Sequence, residues 1–148
     1  MKLAENFNEY GRAIATFRAQ SNIPERELVF TIVPGRTEQT NKQNTFLLES
    51  EGETAYLKLG GQLDYERITE YVITIRVQNK YNLAAETVLN IAVIDVNDNI
   101  PIFKDVAAGT VLEHEPPGAP VMQVRAFDAD GTYQYNQVSY FHLMAYFN

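Results

Sequence analysis

Hydrophobic positions along this chain recur at every second residue. Tyr71, Ile73, Ile75 and Val77 alternate with Val72, Thr74, Arg76 and Gln78, and Thr87, Leu89, Ile91 and Val93 alternate with Val88, Asn90, Ala92 and Ile94. A period of two places successive side chains on opposite faces of a strand, so both runs predict strands with one face more deeply buried. Residues 28–33 form a third such run, residues 13–19, 45–48 and 55–59 shorter ones, and residues 121–126 and 138–143 two later ones. Turn-forming residues separate them: Asn22-Ile23-Pro24, Pro34-Gly35, Glu51-Gly52 and Gly60-Gly61. No segment carries a helical period of useful length. Six or seven short strands in the first hundred residues predict an all-β sandwich.

The pattern changes at Asp95-Val96-Asn97-Asp98-Asn99-Ile100-Pro101, where a strand runs into a polar, acidic stretch closed by proline. Such a shift marks a domain boundary. Beyond this boundary the chain echoes its own start. Gly11-x-x-Ile14-x-x-Phe17-x-Ala19 aligns with Gly118-x-x-Val121-x-x-Val124-x-Ala126, and Leu28-x-Phe30 aligns with Val138-x-Tyr140 after three extra residues. The chain therefore reads as one complete repeat over residues 1–99 and the opening of a second over residues 100–148, with a linker around residues 95–101.

Composition narrows the function. With 12 basic and 19 acidic residues the net charge is −7, and no basic block occurs, so nucleic acid and anionic membranes are poor partners. Cysteine is absent, which excludes disulfide scaffolds, zinc–thiolate sites and thiol catalysis. No apolar run approaches the ~18–20 residues of a membrane span. The start, Met1-Lys2-Leu3-Ala4-Glu5-Asn6, lacks the apolar stretch of a signal peptide, and no Asn-x-Ser/Thr acceptor occurs. An extracellular origin would make this chain a piece of something larger.

Three acidic groups carry the candidate chemistry: Asp64-Tyr65-Glu66, Asp95-Val96-Asn97-Asp98-Asn99 and Asp128-Ala129-Asp130. Alternating carboxylates, with amides and free carbonyls beside them, supply the hard oxygen donors of which Ca²⁺ takes about six to eight. Carboxylates so crowded repel one another until a cation neutralises them. The arrangement is not an EF-hand: the twelfth position from Asp95 is Val106 rather than Glu, and the sixth is Ile100 rather than Gly.

Leu63-Asp64-Tyr65-Glu66, then Ala92-Val93-Ile94 with the Asp95–Pro101 linker, then Ala126-Phe127-Asp128-Ala129-Asp130 resemble the calcium motifs of cadherin extracellular repeats. The resemblance covers nearly the whole chain and implies a Greek-key sandwich of seven strands per repeat, with up to three Ca²⁺ ions between successive repeats. It implies ligands at Glu5, Asp64 and Glu66 from the first repeat. From the linker it implies Asp95, the Val96 carbonyl, Asn97, Asp98 and the Asn99 carbonyl. From the second repeat it implies Asp128, Asp130 and a loop carbonyl at Asn136 or Tyr135. Glu113 holds the place of the second repeat's own base glutamate. The implied protein is a calcium-dependent adhesion ectodomain, the extracellular part of a single-pass plasma-membrane protein. Its partners would be other cadherin-type molecules or extracellular proteins. The alternative is a heterophilic recognition module that binds a different extracellular protein through the first repeat, with residues 24–27 and the polar loop 36–44 as candidate faces.

The chain departs from that pattern at one end. Ser21-Asn22-Ile23 stands where the first repeat would carry its own Asp-x-Asp, and Asn79 stands where an aspartate is expected two residues after Val77. The expectation is that this end binds no Ca²⁺ or binds it weakly, either as the outermost repeat or after a bendable calcium-free linker, the latter preferred. Tryptophan is absent, so the tryptophan-anchored strand swap of the best-known cadherins is ruled out. The aromatic tail 140–148 reads either as a second repeat cut short or as a self-pairing or partner-binding surface. Nothing points to an enzyme. His114 and His142 are the two histidines, His114 reads as an exposed turn residue, and neither a nucleophile elbow nor a phosphate-binding glycine loop occurs. Asp64 and Glu66 could pose as an acid/base pair, but ligand duty explains them better.

Overall fold

The computed structural model describes residues 1–20, 28–104 and 108–138. Tertiary contacts divide the chain into two units, Met1–Val96 and Asn97–Asn148.

Among its described residues unit one holds seven strands: β1 (Lys2–Ala4), β2 (Ala13–Arg18), β3 (Leu28–Val33), β4 (Phe46–Glu51), β5 (Thr54–Leu59), β6 (Glu70–Asn79) and β7 (Ala84–Ile94). They form a four-stranded sheet in the order β1-β7-β6-β3 and a three-stranded sheet in the order β2-β5-β4. The chain leaves the first sheet after β3, makes the β4–β5 hairpin in the second, and returns to β6 beside β3. This is the Greek-key sandwich that the strand pattern and the resemblance predict.

The alternation in the sequence becomes burial. Tyr71, Ile73 and Ile75 on β6 face inward and pair across the sheet with Ile91, Leu89 and Thr87 of β7. Ala55, Leu57 and Leu59 supply the opposite wall from β5. Phe46 of β4 meets Tyr71 of β6 edge to face, with ring centroids 5.0 Å apart, and so joins the two sheets. Gly52, at φ 57, opens the two-residue link between Glu51 and Thr54, where a positive φ suits the twist of a hairpin.

β1 is too short to announce itself in a pattern. It exists because Lys2, Leu3 and Ala4 pair in parallel with Ala92, Val93 and Ile94 of β7. Between β3 and β4 a short 3₁₀ helix, Glu38–Thr40, fills the polar loop. Asn41 follows it at φ 63 and is buried. Its side chain accepts the Phe46 N–H at 2.8 Å and donates to the Phe46 carbonyl at 2.9 Å, imitating a strand neighbour.

In unit two, β8 (Ile102–Lys104) pairs antiparallel with β9 (Arg125–Phe127). The strand expected over residues 121–126 is thus limited to its end. A strand needs a neighbour's N–H and C=O groups, and among the described residues of this unit only β8 pairs with it. Val121, Met122 and Val124 remain exposed. Val138 lies in no strand. The rest of the 138–143 run, the 140–148 tail and His142 lie outside the described residues, as does Asn22-Ile23-Pro24. Gly11 and Gly118, aligned in the internal repeat, share a left-handed backbone at φ 88 and 93. His114 is an exposed turn residue at φ 73. No helix among the described residues is long and apolar enough to cross a membrane.

Candidate metal centre

In unit one, three sequence-distant acids converge. Leu63 and Ile68 are buried and pin both ends of a turn, which the Ile68 N–H closes by donating to the Asp64 carbonyl at 2.9 Å. Asp64 and Glu66 project from this turn into solvent, while Tyr65 between them packs against the core. Glu5 follows β1 and is 6% exposed. Its carboxylate accepts the Tyr65 N–H at 2.7 Å with one oxygen and the Val96 N–H at 2.6 Å with the other. Glu5, Asp64 and Glu66 each offer a carboxylate oxygen, all within 4.8 Å of one another. Asp95, just past β7, is buried.

Unit two holds the other acids. Asp128 and Asp130 are buried, at 6% and 2% exposure. The Asp130 N–H donates to Asp128 Oδ1 at 3.1 Å, fixing the two side by side. Asp130 Oδ1 accepts the Asn99 backbone N–H at 3.1 Å and the Asn99 amide at 2.8 Å, and Asp130 Oδ2 is buried without a hydrogen-bond partner. The Asn99 amide also donates to Asp98 Oδ1 at 3.2 Å. Asn97 and Asp98 are exposed. Asn136 and Asp128 line one open depression with Ala126, Phe127 and Val138. The Asn136 and Tyr135 N–H groups both donate to the Thr132 carbonyl, at 3.1 and 2.9 Å.

These groups suit a hard divalent cation. In unit one the Glu5, Asp64 and Glu66 donors are carboxylate oxygens close enough to share one cation, and in unit two Asp130 Oδ2 is a buried carboxylate oxygen without a hydrogen-bond partner. At the other end of unit one, Asn79 has a different task. Its Oδ1 accepts the N–H groups of Tyr81 and Leu83, both at 3.0 Å, and so shapes the β6–β7 turn. Ser21 and Ile23 lie outside the described residues.

No family model matches the chain. Neural-cadherin of Drosophila melanogaster is 45% identical over 138 residues, which is 88% of this chain and 4% of that protein. The chain consists of cadherin repeats. Human protocadherin gamma-B3 is 37% identical over 87 residues, 57% of this chain and 9% of its own length. Among solved structures, Drosophila N-cadherin EC1-4 is 26% identical with a TM-score of 0.70, covering 88% of this chain and 32% of that one. The chain thus spans less than a tenth of either curated relative. Membership of this family agrees with the reading that the protein is not an enzyme.

Two features of these cadherin repeats escape a motif reading. The motif assigns Asn99 by its carbonyl, whereas its side-chain amide holds Asp130 and Asp98. Arg67, next to Glu66, forms a two-pronged ion pair with Glu38: Nε donates to Oε2 at 2.9 Å and Nη2 to Oε1 at 2.6 Å. Arg67 directly succeeds the motif, but its partner is 29 residues away in a loop that carries no motif of its own.

Proposed function

We propose that this chain is part of a calcium-dependent cell-adhesion ectodomain, in which Ca²⁺ stiffens the junction between a complete cadherin repeat over residues 1–99 and a second repeat beginning at residue 100. The carrying observation is the convergence of Glu5, Asp64 and Glu66 oxygens within 4.8 Å, close enough for all three to ligate one cation. Up to three ions are expected. Their ligands are Glu5, Asp64 and Glu66, then Asp95, the Val96 carbonyl, Asn97, Asp98 and the Asn99 carbonyl, then Asp128, Asp130 and the Asn136 carbonyl. Asp98 is the central ligand that bridges ions, so its loss damages more than one site, whereas loss of Asp64 affects mainly the outermost. The parent protein is a single-pass plasma-membrane protein that meets other cadherin-type molecules outside the cell.

At ~1–2 mM free Ca²⁺, each site of ~0.1 mM affinity adds roughly 1.5 kcal/mol by mass action. Several sites together weigh against a domain's stability of ~5–15 kcal/mol. Without the ion the linker loosens while the first sandwich stays folded. Calcium titration and small-angle scattering of the wild type and Asp98→Ala, with and without chelator, test this. A shape and melting temperature indifferent to chelation, or normal binding by Asp98→Ala, would overturn it.

A second reading is heterophilic recognition through the first repeat. It draws support from Val88, 58% exposed on the outer face of β7, with exposed Val72 diagonal to it on β6. Residues 24–27 lie outside the described residues.

A further inference from the structure

We propose that Glu38 acts as a positioning residue for the Glu5–Asp64–Glu66 cluster: it engages the Arg67 guanidinium and thereby keeps that charge from competing with the bound cation. The inference rests on the calcium reading of this cluster. Arg67 grows out of the cluster itself, since its backbone N–H donates to Asp64 Oδ1 at 3.0 Å. A long cationic side chain at that point is a built-in competitor for the same carboxylates. Its guanidinium is instead committed to Glu38 through Nε and Nη2, the planar fork that arginine offers a carboxylate.

Glu38 is well placed to hold it. It sits in the 3₁₀ helix, whose ends are braced by the Thr40 hydroxyl, which accepts the Thr37 N–H and donates to the Thr37 carbonyl, and by the Asn41 bridge to β4. Gln43 adds to the grip: its amide donates to Glu38 Oε1 at 2.6 Å, and its carbonyl accepts from Arg67 Nη2 at 3.4 Å. The polar loop 36–44, which as sequence reads as solvated or as a recognition face, thus acquires a task at the ion site.

Calorimetric Ca²⁺ titration of the full chain tests the clamp with three variants: Glu38→Ala, Arg67→Gln and the two combined. Freeing one positive charge beside a divalent site weakens binding roughly three- to tenfold at surface dielectric, so Glu38→Ala is expected to lose that much affinity at the outermost site. Arg67→Gln and the double variant are expected to bind within about twofold of wild type, because no competitor remains. If the loss persists in the double variant, Glu38 acts only as a nearby negative charge and the clamp is wrong. If Glu38→Ala binds like wild type, the clamp is equally wrong while the calcium reading stands. Absence of binding by the wild type overturns both. Melting in chelator reports on folding, and Glu38→Gln repeats the measurement should the alanine variant fold poorly.

Discussion

The Glu5 carboxylate accepts the Val96 backbone N–H at 2.6 Å across 91 residues, so the first strand's end and the last strand's exit are tied by one side chain. Its second oxygen holds Tyr65 at 2.7 Å. Glu5 is therefore structural before any ion arrives. Glu5→Ala leaves two N–H groups without their acceptor, and a loss of about 2–4 kcal/mol is expected, present in chelator as well as in Ca²⁺. Urea unfolding under both conditions checks it. A loss confined to Ca²⁺ would make Glu5 a ligand and nothing more.

Asp130 should behave in the opposite way. Its Oδ2 is buried without a partner, a cost that a bound cation would remove. On the proposed calcium reading, Asp130→Asn is expected to melt no lower than wild type in chelator, yet to melt lower in millimolar Ca²⁺, with Ca²⁺ affinity reduced roughly tenfold for the loss of one carboxylate. Paired melting curves with and without the ion read this crossover, and equal destabilisation in both would refute it.

Phe46 joins the sheets through Tyr71 and is 1% exposed. Phe46→Ala empties the space between the layers and is expected to cost about 3–5 kcal/mol, in chelator and Ca²⁺ alike. Denaturant midpoints would show it.

Asn79 fastens the β6–β7 turn with two bonds from one oxygen. Asn79→Ala is expected to cost about 1–2 kcal/mol and to speed amide exchange at Tyr81 and Leu83. Asn79→Asp keeps an acceptor in place, so its turn should remain protected. Fast exchange at both amides in the aspartate variant would show that the amide group itself is needed.

Burial raises the Tyr71 phenol above its ordinary pKa of 10.0, against the smaller opposing effect of its hydrogen bond with Thr45. A group whose folded pKa is raised adds stability that is fully present below the unfolded value and disappears as pH climbs through the folded one. Stability should therefore fall above pH 10.0, and Tyr71→Phe should flatten that alkaline decline. Chemical denaturation from neutral pH upward measures the two slopes, and identical slopes would discount Tyr71 as a source.

Much of the fold is legible in the sequence because strand alternation is local. Residues 28–33 are β3 to the residue, and the Tyr71 and Thr87 runs become the paired centre of the larger sheet. The acidic groups are legible too, since alternating carboxylates over two or three residues stand out against the apolar alternation of the strands. The run 121–126 shows the limit. Its pattern is as good as that of β2, but a ladder also needs a neighbour, and among the described residues only its end has one.

Residues a few positions apart are enough to set the period-two strands, the polar shift at Asp95 and the clustering of acidic side chains, and all three can be read from the sequence alone. The tertiary structure decided what depends on chain closure. It made β1 a strand by laying it on β7, and brought Glu5 to Tyr65 and Val96. It turned the Asn99 amide onto Asp130 and delivered Glu38 to Arg67. Contacts of 29 to 91 residues' separation leave no local period, because their geometry comes from how distant strands and turns are brought together rather than from the order of neighbouring side chains.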